Sequence, residues 1–134
     1  MKGTKGPDGT AGGAVLFFSV APSASAAYYL QLFHGSVAAL TTLDVTNELV
    51  IPSARTLKNL RIYCEASVTK DVAFTVFKNG ASTGITCTIT NGNATASDLS
   101  NTLAVAQGDK VALQALHTAG APGGTFFYAT LEAT

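Results

Sequence analysis

Charge is what this sequence has least of. Asp, Glu, Lys and Arg together make up 12% of the 134 residues, about half the share of roughly 25% usual in soluble domains. The eight basic and eight acidic residues cancel. The basic ones are scattered from Lys2 to Lys110, with no run or stripe to follow a phosphate backbone, so nucleic acid is not an expected partner. No apolar stretch approaches the roughly 18 residues of a membrane-spanning helix. "AVLFFSVA" is too short and lacks a cleavage pattern, so neither a membrane partner nor a secretory leader is expected. Tryptophan is absent, and two cysteines give neither a disulfide framework nor metal-ligand spacing. Cys64 and Cys87 each fall in phase with the apolar residues of their runs, which fits buried free thiols; a disulfide stays open if their strands pair.

The inventory for catalysis is equally thin. His34 and His117 stand alone, without a second ligand at metal spacing. "HGSV" lacks the Gly-x-Ser-x-Gly elbow of serine hydrolases, and phosphate-loop and dinucleotide fingerprints are missing. No pair of carboxylates sits inside an apolar run in the way glycosidase chemistry needs. No enzyme activity, metal or cofactor is expected. "NAT" at 93–95 matches a glycosylation sequon, which matters only in a eukaryotic secretory setting.

What is present is β-structure. Gly, Pro and Asn punctuate the chain every eight to twelve residues, and the runs between them are rich in Val, Ile, Thr, Phe and Tyr, the pattern of an all-β sandwich or barrel. Nine runs, at 14–20, 27–33, 48–51, 57–67, 71–78, 84–90, 99–106, 109–117 and 124–132, predict about eight strands, one run being a loop or edge piece. Alternation is clearest in the middle. Leu60, Ile62, Cys64, Ala66 and Val68 take one face, and Arg61, Tyr63, Glu65 and Ser67 the other. Asn79-Gly80 predicts a tight hairpin between 71–78 and 84–90, since both residues tolerate positive φ. Residues 91–98 read as an exposed connection, Gly108-Asp109 as a turn, and 34–47 as either a short helix or a long loop with an embedded strand.

Near both ends of the chain the pattern changes. "VLFFSV", "YYLQLF" and "TFFYATL" carry bulky residues on both faces of the pleat, so both faces need cover. Phe17, Phe18, Tyr28, Tyr29, Phe126, Phe127 and Tyr128 are therefore the expected interface with a second subunit or with the N-terminal arm. The polar, Gly-rich connections at 91–98 and 117–124 are the expected binding loops, with Asn91, Asn93, Thr95, Thr118 and Gly123 as candidates.

The segment from "AFTVFKNGASTGITCTITNGNATASDLSNTLAVAQGDKVALQA" to "TFFYATLEA" resembles the second half of the trimeric jelly rolls of complement globular heads and tumour necrosis factor ligands. It is similar in style to small phage tail-fibre and head-surface proteins. The matching features are Lys78-Asn79-Gly80 at a strand end, Gly108-Asp109-x-Val111-x-Leu113, and a final aromatic strand; the likeness covers about residues 56 to 132. It implies a homotrimer whose first and last strands line the threefold axis, in a structural or binding role. With no tryptophan and so few charges, no calcium site or receptor contact is carried over. The fold expected is thus an antiparallel jelly-roll sandwich over 14–134. The function expected is that of a virion surface protein, a phage capsid decoration or head fibre partnered by a major capsid protein or another virion protein. A receptor- or glycan-binding knob, extracellular or at a cell surface, is the alternative.

Residues 1–13 form a separate arm. Glycines at 3, 6, 9 and 12 make three Gly-X-Y triplets, a spacing with a chance of roughly two in a hundred thousand per start at about 7% Gly. Three triplets are too few to hold a collagen triple helix alone. In a trimer the arm is either a short stalk or an anchor, with Lys2, Lys5, Pro7 and Asp8 as the attachment residues.

Overall fold

The computed structural model describes residues 14–32, 41, 43, 47–118, 120–123 and 126–134. The arm with Lys2, Lys5, Pro7 and Asp8, and most of the 34–47 segment with His34, lie outside these residues. Among the described residues there are eleven strands and no helix. They are β1 (Ala14–Val20), β2 (Ala27–Tyr29), β3 (Gln31–Leu32), β4 (Leu49–Val50), β5 (Arg55–Cys64), β6 (Val72–Lys78), β7 (Ala81–Ile89), β8 (Thr95–Asp98), β9 (Leu103–Val105), β10 (Lys110–Leu116) and β11 (Phe127–Ala133).

Two antiparallel sheets pack face to face as a jelly-roll sandwich. One sheet runs β3-β1-β11-β5-β8, with β9 also on β5; the other runs β2-β10-β6-β7, with β4 also on β10. The first and last strands pair along their whole length, from Ala14 opposite Ala133 to Val20 opposite Phe127. The run expected at 27–33 is divided between the sheets. Leu30 breaks it, its N–H donating to the carbonyl of Leu113 at 2.8 Å, and the chain crosses from one layer to the other there.

Alternation decides what enters the core. Phe18, Val20, Tyr28, Leu30, Leu57, Leu60, Ile62, Phe74, Leu113, Phe127 and Leu131 are among the side chains sealed between the layers. Phe74 and Phe127 meet edge to face across the gap, with ring centroids 5.1 Å apart at 73°. Tyr28 is sealed from solvent here, its hydroxyl against the backbone of Ser23. Burial pushes its pKa up to about 12 against the N–H of Ser23, and Cys64 adds to the rise.

Two predicted strands are corrected. The run at 57–67 ends at Cys64, so Ala66 is exposed instead of sharing the face of Leu60. A bulge also interrupts β5, where Asn59 takes φ 53° and the register against β11 slips between Thr130 and Glu132. The 91–98 connection is half strand, because 95–98 pairs with β5 as β8, and the strand expected at 99–106 shrinks to β9. The hairpin prediction holds. Asn79 and Gly80 join β6 to β7 at φ 51° and 81°, the paired positive values of a two-residue turn matched to strand twist.

Neither cysteine forms a disulfide. Cys64 is buried in one sheet and Cys87 is half-buried in the other.

Candidate functional site

The aromatic strands near the chain ends divide by the period of two. Phe18, Tyr28 and Phe127 are fully buried in the core of the chain itself, so they cannot belong to an intersubunit surface. Tyr29 stands apart from the rest of the expected set. It lies on the outer face of the second sheet, edge to face with Phe77 at 5.6 Å, on the opposite side of the sandwich from Phe17 and Tyr128.

Phe17 and Tyr128 stand together on the outer face of the first sheet, with ring centroids 6.2 Å apart, and Phe126 follows 6.3 Å from Tyr128. Phe17 is 41% exposed and Val15 beside it more so. This apolar strip sits on the paired first and last strands, and Tyr63 continues it on β5, directly opposite Tyr128. Burial raises the pKa of the Tyr128 hydroxyl first, and the nearby Glu65 carboxylate raises it further, with Cys64 adding to the rise.

Beyond Tyr63 the face becomes polar. Arg61 lies opposite Ser97 and Tyr63 opposite Thr95 in the β5–β8 register. Together with Ile62 and Ala96 these residues line a shallow groove of about 400 Å³. Ile62 turns into the core, so Arg61, Tyr63, Thr95 and Ser97 furnish the exposed side chains. Of these only Thr95 was among the sequence candidates. The signal for Arg61 and Tyr63 was their shared outward phase, and the pairing strand carrying Ser97 was hidden in a stretch that reads as loop.

The remaining loop candidates are gathered at one end. Val68 binds both loops: its N–H donates to Asn93 O at 2.9 Å, and it bridges Gly123. Much of their polar capacity is used internally. Asn91 N–H donates to Asp71 Oδ1 at 2.8 Å and the Asn93 amide to Thr90 Oγ1 at 2.6 Å. The Thr118 carbonyl can only accept, so the proton on His117 lies on Nδ1, 2.6 Å away. Among the described residues His117 Nε2 is buried with no hydrogen-bond partner, and the ring meets Tyr28 edge to face at 5.5 Å.

The acids best held are structural. Burial alone would raise the pKa of Asp98, but the Asn101 amide and the N–H groups of Asn101, Thr86 and Ser100 bring it down to about 2. Asp109 accepts from Ala106 N–H at 2.7 Å and from the Asn79 amide at 2.9 Å, with Lys78 at 3.6 Å. Such carboxylates are committed as acceptors. Among the described residues no three His, Cys, Asp or Glu side chains converge as a metal centre. The outer face of the first sheet can stack, hydrogen bond and pair with an anion, which is recognition chemistry.

Neither a protein-family model nor a curated relative matches the chain. Among solved structures, it is similar to the native structure of a family 35 carbohydrate binding module from Clostridium thermocellum. The TM-score is 0.42 at 14% sequence identity, over 84% of this chain and 96% of that one. That is a likeness of architecture, and it assigns neither site nor ligand.

Proposed function

We propose that this chain is a non-enzymatic surface protein of a virion: a homotrimeric jelly roll that decorates a phage capsid or forms a head fibre. Residues 1–13 hold it to the major capsid protein or another virion protein. The observation that carries the reading is the apolar strip of Val15, Phe17 and Tyr128 on the paired first and last strands. A closed threefold contact is heterologous, with one patch meeting a different patch on the neighbour, so a strip on one sheet face needs no self-complementary twin. The strand orders β3-β1-β11-β5-β8 and β2-β10-β6-β7 support the likeness to trimeric heads, since they place the first and last strands side by side. The low charge suits a surface that is partly covered in an assembly. Sedimentation tests the trimer, with an expected mass about three times the 13.6 kDa chain. Electron microscopy of purified particles tests the location, and absence of the protein from virions overturns it.

A second reading, a receptor- or glycan-binding knob, is favoured by the groove beside Tyr63, where an exposed ring, a guanidinium and two hydroxyls converge. Glycan-array binding by the intact protein tests it.

A further inference from the structure

Side chains two apart on a strand share a face, so Arg61 and Tyr63 stand roughly 7 Å apart along β5, with Ser97 and Thr95 roughly 5 Å across from them on β8. The result is a four-cornered patch over a groove of about 400 Å³, within the range of roughly 300–1,000 Å³ typical of small-molecule sites. Tyr63 leaves 54% of its surface open. Its apolar ring stands across from the Thr95 hydroxyl and diagonal to that of Ser97, an arrangement that matches a pyranose, whose C–H face is apolar and whose rim is hydroxylated.

Charge narrows the class. Among the described residues the Arg61 guanidinium has no hydrogen bond or ion pair. Among the described residues, Glu132 on the same face accepts from the Asn59 amide, Glu65 lies beside the Tyr128 hydroxyl, and neither is paired with Arg61. An uncompensated planar fork beside a stacking ring is complementary to a carboxylate carried on a sugar. A bare anion would leave Tyr63 without a use, and a neutral sugar would leave Arg61 without one.

We infer that the β5–β8 groove binds an acidic saccharide. Its carboxylate is paired to Arg61, its apolar face lies on Tyr63, and its hydroxyls exchange hydrogen bonds with Thr95 and Ser97. This rests on the recognition reading and not on the virion location. The groove and the apolar strip adjoin at Tyr63, which stands opposite Tyr128, while Arg61, Thr95 and Ser97 lie on the side of β5 away from Phe17.

The test is isothermal titration of the full chain with sialyllactose and with trigalacturonate, which separate the two sources of a sugar carboxylate, against lactose and maltotriose as neutral probes. One or both acidic sugars bind and the neutral ones do not. Arg61→Gln weakens that binding at least about tenfold, Tyr63→Ala does likewise, and added salt weakens it in the wild type. Both side chains are exposed, so unchanged melting midpoints confirm that the variants are folded. Failure of both acidic sugars to bind, or unchanged affinity in Arg61→Gln, overturns the inference. Equal binding of lactose, or binding lost in Asn93→Ala and kept in Arg61→Gln, overturns the inference while the recognition reading stands. A blank glycan array overturns both.

Discussion

The backbone N–H of Thr86 on β7 donates to Oδ2 of Asp98 on β8 at 3.1 Å, so one carboxylate ties the edge strand of one sheet to the edge strand of the other. The same side chain accepts from Ser100 and Asn101 N–H and from the Asn101 amide, at 3.1, 3.1 and 2.9 Å. Replacing it strands several donors at once. Asp98→Ala is expected to lower unfolding free energy by roughly 1–3 kcal/mol, the usual cost of unsatisfied buried polar groups, with Asp98→Asn falling between it and the wild type in denaturant titrations.

Acid should loosen the fold through the same group. Asp98 titrates at about 2 in the folded chain against 3.8 when free. A carboxyl depressed by folding adds stability at pH above its free value and loses it as pH falls toward its folded value. Asp109 is lowered too, first by the Ala106 N–H and then by the Asn79 amide. Thermal midpoints are therefore expected to hold down to about pH 4 and to drop between about 4 and 2. The drop is shallower in Asp98→Asn, and an equally steep fall there would place the acid sensitivity elsewhere.

Two glycines with positive φ should respond differently to a methyl group. At Gly80, φ is 81° and among the described residues the added carbon meets only Leu43 Cδ1 at 4.0 Å, so Gly80→Ala costs about 1 kcal/mol of backbone strain. At Gly123, φ is 71° and the carbon lies 2.9 Å from Thr69 Cγ2. Because Thr69 is itself bonded to the Pro122 carbonyl through N–H and hydroxyl, it has little room to yield. Gly123→Ala is expected to be the more destabilising of the two in equilibrium unfolding.

Neighbours on β1 separate folding from assembly. Phe18 is fully buried and Phe17 is not. Phe18→Ala is expected to cost about 3–5 kcal/mol, as large-to-small core changes do. Phe17→Ser should leave the unfolding midpoint of the isolated chain near wild type and convert the proposed trimer to monomer in sedimentation. A variant that sediments as the wild-type trimer moves the interface off this strip.

The thiols should be slow to react. Burial pushes the Cys87 thiol up to about 12, the nearby Asp98 carboxylate adding to the rise, and the thiolate is the reactive form. Cys64 is sealed in the core. Native protein is expected to take up thiol reagent far more slowly than free cysteine, with both sites labelled on denaturation.

The class of fold, most of the strands and the β6–β7 hairpin were legible from adjacent residues alone. Alternation and Asn-Gly are local signals, and each is written in a few adjacent residues. The sequence also shows that the strands near the chain ends carry aromatics on both faces. Which aromatic of each pair is interior was not legible, because period two labels two faces without saying which meets the other sheet. Only the packing of the layers assigned Phe18, Tyr28 and Phe127 to the core and set Tyr29 opposite Phe17. The groove was beyond reach for a related reason. Thr95 and Ser97 sit in a polar stretch with the composition of a loop, and become a strand only because β5 offers them a free edge to pair with. Pairing between residues more than thirty positions apart is a property of register, and tertiary structure alone sets it.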